Sequence, residues 1–426
     1  MTVRGSRDGE IRHVPMLMLG VGAYLLALPF LPPQVLSIAL FGLAACFVFQ
    51  KAPGTSDDGY GFLLPVLPFL AALLAGAARS PDRSVASAVL SFQLPGLALL
   101  VVMMRRTDCR LHHWMAAWTL FSAALCLSVV VGWTQVRLGA RLPALMETPE
   151  GTLLYSHDLL LIVPNDICAA AILLAFPLAL LASGNTRGVT RWLAIVTIGV
   201  TGLAMAILRT RTGVLVALTE LFVVSLARPR WPLWLLPTGL LLAATDQLVG
   251  SHTIEKLLLS NNLDNHGVAG RLGLWVSAWA MFRTAPLFGH GALSFGAQHG
   301  AYLPAWSPRF PERHVMWAHN LYLETLAEQG ILGFAALAIM LLYPLYRLWR
   351  KAAKLGGEMQ GKTELICAFA GIAGLMVAAG FELSLVRRWV ALVMFATIGF
   401  AMRAAAATGQ TKTTAEIARG NPTPLV

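Results

Sequence analysis

Long, uninterrupted apolar runs constrain this chain more than any motif does. Stretches such as the one ending FAALAIMLLYPLYRLW recur along it, each of about 17–25 residues, the length a helix needs to cross a hydrocarbon core of roughly 30 Å. Inside lipid every backbone N–H and C=O must be satisfied within the protein, so such a run is a helix or a strand of a closed barrel. The apolar residues here are continuous rather than alternating, which excludes a barrel. Charged residues make up only 12% of the chain, against roughly 25% in soluble domains. The expected fold is therefore all-α: a polytopic membrane protein with about twelve transmembrane helices.

The expected spans are 14–31, 33–50, 60–78, 86–104, 114–134, 159–183, 191–208, 212–227, 231–247, 331–349, 364–384 and 389–403. They divide the chain into N-terminal spans (1–158), central spans with an arginine turn (159–247), a large extramembrane loop (248–318), C-terminal spans (319–403) and a polar tail (404–426). The charged segment MTVRGSRDGEIRH precedes the first span without a small-x-small cleavage site, so that span is expected to be a retained anchor. No internal repeat is visible.

Lys and Arg in the short loops set the orientation. With both termini inside, the inner segments hold most of the 32 Lys and Arg residues, including Arg105, Arg106, Arg347, Arg350 and Lys351. The 248–318 loop then lies on the outer side of the membrane. Much of the net charge of +11 is thus explained by attraction of inner-face cations to anionic membrane lipids, and no nucleic-acid partner is implied. The 5 cysteines avoid the outer loop, so no disulfide framework is expected there. No CxxC, HExxH, Walker or dinucleotide pattern occurs, and no metal or other cofactor is expected.

The outer loop carries His252, His266, His290, His299 and His314, and His319 stands at its exit. Their spacings match no compact metal-ligand pair, and solvated histidines account for most of them. Within the loop, Leu272, Trp275, Trp279 and Phe282 recur at helical steps behind Arg271, before Pro286, Gly289 and Gly291. That segment reads either as a short amphipathic helix lying on the membrane surface or as a packed helix of a small cap.

Two further outward features run against the topogenic bias. LRTRTG places Arg209 and Arg211 at the turn between two spans, and Arg387 and Arg388 sit at another. Arginines there either snorkel to lipid phosphates or clamp an anion, and a diphosphate suits the bidentate guanidinium.

The stretch WAHNLYLETLAEQGILG joins the loop to a span. His319 opens a helix, where the positive end of the dipole favours a neutral imidazole, which beside a bound diphosphate is suited to take a proton from a hydroxyl. A solvated helix start is the plainer reading of the same histidine. Asn320, Glu324 and Glu328 form an i, i+4 stripe, while Gly330 and Gly333 permit close helix approach.

Four pieces in order now resemble the O-antigen ligase and polymerase superfamily of bacterial envelope glycosyltransferases: VPNDICAAAILLAFPLAL around Asn165 and Asp166, RTRTG, GRLGLWVSAWAMFRTAPLFGHGALSFG, and AHNLYLETLAEQGILG. Together they run from about residue 160 to 340. In the arginine turn Thr212 separates Arg211 from Gly213, where the family has Gly directly after Arg, so either Arg209 or Arg211 corresponds.

The resemblance implies an inverting, metal-independent glycosyl transfer on the periplasmic face. The donor would be a glycan on undecaprenyl diphosphate. His319 would act as general base, with Arg211 and Arg271 on the diphosphate and Arg209, Asn320 and Arg388 as further substrate contacts. An O-antigen ligase, with lipid A–core oligosaccharide as acceptor, is favoured by the single dominant loop and the His-Asn segment. A polymerase uses another lipid-linked repeat. A protein O-oligosaccharyltransferase uses Ser or Thr and usually carries a periplasmic domain after the last span, whereas here the chain ends soon after Arg403. A secondary transporter is a different class, for which only Asp166, Glu220 and Glu382 would supply ionisable groups within spans.

Overall fold

A computed structural model describes residues 61, 63–81, 93, 96–104, 111–137, 145–147, 153–155, 167–182, 188–208, 210–227, 266–307, 317–355, 359–385 and 388–407. The expected spans 14–31, 33–50 and 231–247 lie outside these residues, as do Arg209, Arg387, Asn165 and Asp166.

The described helices are α1 (Leu63–Arg79), α2 (Leu111–Arg137), α3 (Ile167–Ile172), α4 (Ala175–Ala182), α5 (Val189–Ile207), α6 (Arg211–Ala227), α7 (His266–Thr284), α8 (Ser294–Tyr302), α9 (Leu321–Lys354), α10 (Met359–Phe381) and α11 (Arg388–Ala407). One antiparallel hairpin, β1 (Leu145–Glu147) with β2 (Leu153–Tyr155), pairs Met146 with Leu154. Among the described residues, four helices are long and apolar enough to cross a membrane: Leu111–Val131, Val189–Ile207, Leu321–Lys354 and Glu364–Phe381. Leu64–Arg79, Ala170–Leu181 and Val390–Ala406 are shorter apolar helices.

These helices are apolar on both sides. α1 buries Val66, Phe69, Leu73 and Ala77, yet it also exposes Leu64, Leu67 and Leu74. α6 likewise exposes Leu215, Leu218, Phe222 and Leu226. An apolar surface of this extent suits lipid rather than water, and the chain is an integral membrane protein. Between helices in lipid the hydrophobic drive is small, so close packing and small residues hold them together. Trp118 stacks on Phe176 at 5.9 Å, and Phe176 meets Phe400 at 4.8 Å, tying α2, α4 and α11. α10 presents Gly371 and Gly374 to α4 and α6. A β-carbon on Gly374 would stand 2.7 Å from Oε1 of the fully buried Glu220, and one on Gly371 would stand 2.9 Å from Ala175.

The span expected over 159–183 is broken into α3 and α4. Pro177 has no N–H to give the Leu173 carbonyl, and the chain turns through i→i+3 bonds such as Leu173 N–H to Ala170 O and Phe176 N–H to Leu173 O.

α9 is two helices in one. Gly330 takes φ 65° and ψ −164°, a backbone open to glycine and strained for other residues. The i→i−4 bonds that would cross the kink are exchanged for bonds to the turn after α7. Ile331 N–H goes to Pro286 O (2.9 Å) and Leu332 N–H to Leu287 O (3.4 Å), while His290 N–H reaches Ala327 O (3.0 Å) and Gly291 N–H reaches Glu328 O (2.8 Å). The kink therefore leaves no polar backbone unpaired at these four positions, and it aims the first turns of α9 away from the long apolar half.

α7, α8 and the start of α9 share a small core of their own, formed by Leu274, Ala278, Met281, Phe295, Ala318 and Ala327. The face of α7 read from the sequence points the other way: Trp279 is exposed, with Leu272, Trp275 and Phe282 half-buried. One face of α7 packs this small core, as the cap reading expects, and the aromatic side chains stay largely outside it.

Candidate active site

The site forms where α7, the start of α9 and the end of α10 meet. Asn320 is the N-cap of α9; its Oδ1 accepts from Tyr322 N–H (3.1 Å) and Leu323 N–H (3.0 Å). Such a cap stabilises a helix by about 1 kcal/mol. His319 precedes it at φ 52°, a left-handed conformation uncommon for a residue with a side chain. Trp317 packs edge-on against the His319 ring at 5.7 Å.

From this position Nδ1 of His319 donates to Oε1 of Glu382 at 2.9 Å. Glu382 follows the last turn of α10, its own N–H bonded to Ala378 O at 2.9 Å. Its second oxygen, Oε2, accepts from Nη2 of Arg271 at 2.7 Å. One carboxylate, only 2% exposed, thus joins the two residues singled out in the sequence, whose side chains are 24% (His319) and 32% (Arg271) exposed. The bond to Glu382 fixes the ring orientation, and in a neutral ring it leaves the lone pair on Nε2, the nitrogen a substrate hydroxyl would meet. Arg271 gives Nη2 to Glu382, and its fork has further N–H groups for an anion. Sequence reading considered Glu382 only as a span acid of a transporter; an acid at the mouth of a span, mirroring His319 at the mouth of another, was the available signal.

Arg211 is the first residue of α6 and is half-buried. The turn before it is tight: Thr210 N–H bonds Met205 O at 3.2 Å, and Thr210 Oγ1 accepts from Gly213 N–H at 3.1 Å. A β-carbon at position 213 would lie 2.8 Å from Thr210 Cγ2, which explains the glycine in RTRTG. Arg388 opens α11, and its side chain lies outside the described residues, as Arg209 does.

The i, i+4 stripe has inward work. Glu324 Oε2 accepts from Ala318 N–H at 3.0 Å, and its Oε1 accepts from the Ser384 hydroxyl. Glu328 Oε1 accepts from Phe295 N–H at 3.1 Å, anchoring α8. The two loop histidines nearest each other are also engaged. His299 is buried, with Nδ1 3.1 Å from Phe295 O, and His290 Nε2 lies 2.9 Å from Thr284 Oγ1 and 3.0 Å from Met281 O.

Residues 167–338 match the family model described as O-antigen ligase. That segment contains α3 through the kink of α9, including Arg211, Arg271 and His319 but not Glu382. A stretch of 90 residues is 30% identical to an uncharacterised protein of Haemophilus influenzae, covering 21% of this chain and 22% of that protein's length.

Proposed function

We propose, from the match of residues 167–338 to the family model described as O-antigen ligase, that this membrane protein is an O-antigen ligase acting at the periplasmic face of the bacterial inner membrane. It moves a glycan from undecaprenyl diphosphate to a hydroxyl of lipid A–core oligosaccharide. His319 Nε2 takes the proton of the acceptor hydroxyl as its oxygen attacks the anomeric carbon. The bond from that carbon to the diphosphate breaks, with inversion, and the lipid diphosphate leaves with the electron pair. Arg271 and Arg211 neutralise the charge that builds on it, with Arg209, Arg388 and Asn320 as further contacts.

The observation that carries this reading is the chain His319–Glu382–Arg271. It couples a base to an anion-binding cation through one buried carboxylate, as a reaction needs when proton removal and leaving-group charge rise together. With α6 and α10 antiparallel, as the charge-derived orientation requires, Arg211 stands at the same end as Glu382. Roughly 13 Å of helix separates Arg211 from Glu220, and roughly 12 Å separates Gly374 from Glu382.

The test is transfer by purified protein supplied with an undecaprenyl-diphosphate glycan and rough lipopolysaccharide, without nucleotide or metal. Capped lipopolysaccharide is the expected product. Extension of the lipid-linked glycan instead would assign the chain to the polymerases, and glycan on Ser or Thr of a protein acceptor to the oligosaccharyltransferases. The absence of both transfer and extension, with every one of these acceptors, would overturn the reading.

A further inference from the structure

We propose that Glu324 is a positioning residue that holds the two halves of the base together, acting through the backbone before His319 and the loop after Glu382. This rests on the reading of His319 as the base. Glu324 lies in the first turns of α9 and is buried. One of its oxygens takes the N–H of Ala318, the residue before His319. The other takes the hydroxyl of Ser384, two residues after Glu382 and fully buried. His319 and Glu382 are themselves 63 residues apart, and Glu324 and Ser384 are 60 apart. The two loops are therefore joined twice, once through the His319–Glu382 pair and once through the Glu324 carboxylate.

A plain structural role for Glu324 is helix capping, in which an early carboxylate reaches back to an N–H before the helix. That role needs one oxygen and one local donor. It does not account for the second oxygen, which serves a hydroxyl on a different helix end. Nor does it account for the backbone of His319, whose left-handed φ of 52° persists only when its surroundings over-determine it. The N-cap bonds of Asn320 hold it from one side. The Ala318 N–H bond to Glu324 holds it from the other. Two tethers flanking one strained residue, with the second tether extended to the loop of its acid partner, fit the orientation of an imidazole.

The substitutions that separate these roles are Glu324→Gln, Ser384→Ala and Ser384→Thr. Gln keeps the size of the side chain and one acceptor, so Ala318 and Ser384 can no longer both donate to a carboxylate. Ser384→Ala leaves the capping bond to Ala318 intact and cuts only the tie to the Glu382 loop; Thr restores the hydroxyl. Two readouts are needed: glycan transfer, resolved into kcat and donor KM, and carbethoxylation of His319 by diethyl pyrocarbonate against pH, mapped by mass spectrometry. A misplaced catalytic group lowers turnover by about 10²-fold. The expected result is that Glu324→Gln and Ser384→Ala lower kcat with donor KM little changed. Their His319 modification profiles should move toward that of Glu382→Gln, and Ser384→Thr should recover both.

Folded Glu324→Gln and Ser384→Ala proteins with wild-type kcat and wild-type modification profiles would overturn the proposal. A wild-type protein inactive with every acceptor, whose His319 profile still shifts in these variants, would sink the ligase reading and leave the tether standing.

Discussion

Nδ1 of His319 lies 2.9 Å from Oε1 of Glu382, and the same carboxylate reaches Arg271 through its other oxygen at 2.7 Å. On the proposed mechanism, Glu382 is expected to matter to turnover together with the histidine. His319→Ala removes the base and is expected to lower transfer by on the order of 10²–10⁴, and His319→Gln no less, since an amide cannot take the proton. Glu382→Gln keeps an acceptor but offers an amide N–H₂ toward Arg271, so it too should lower kcat by about 10²-fold or more. The double variant should be little worse than His319→Ala alone, because residues that act as a unit are not additive. Transfer assays on purified, folded variants check this, and independent, multiplicative losses would contradict it.

Arg271 and Arg211 are expected to carry the diphosphate. Each Ala substitution removes charge-assisted bonds of roughly 1.5–3 kcal/mol, a loss of about tenfold to a hundredfold or more in turnover. Lys should rescue Arg211 and Arg271 only in part, since it lacks the fork. Arg271→Ala should also loosen Glu382, so its effect should exceed that of Arg211→Ala. Steady-state kinetics against donor concentration measure both, and full activity in the two Ala variants would remove the clamp.

Gly330 is the residue that lets α9 kink. A β-carbon there would meet Leu287 C and O at 2.5 Å and Phe288 N at 2.6 Å, at φ 65°. Gly330→Ala is expected to destabilise by about 1–3 kcal/mol from the backbone conformation alone, with the clash adding to it. Thermal unfolding of the detergent-solubilised protein should show a lowered midpoint, and transfer should fall because the turn at Pro286–Gly291 and the start of α9 shift together. Gly300→Ala, where a β-carbon meets nothing within 4 Å, is the matched control.

The orientation can be checked without chemistry. A reporter active only in the periplasm should give signal when fused after residue 300 and none when fused after residue 357. The reverse pattern would place His319 on the cytoplasmic side and end the catalytic reading with the topology.

What could be read from the sequence alone was local or compositional. Continuous apolar runs implied membrane helices because lipid leaves the backbone no other partner, and α2, α5, α6, α10 and α11 lie within a few residues of the expected spans. His319 and Asn320 stood out as a helix start because capping acts across two or three residues, and the aromatic face of α7 because a helix repeats every 3.6. Other relationships were decided only by the tertiary structure. Glu382 became a partner of His319 and Arg271 across 63 and 111 residues. Glu324 and Glu328 turned from a polar stripe into buried acceptors. Gly330 broke a helix whose sequence runs on without a proline at that point. Each of these depends on which segments the packed glycines and the broken backbone bring side by side. Neither spacing nor propensity carries that information, since the energy of a buried carboxylate is set by the donors that surround it rather than by its neighbours in the chain.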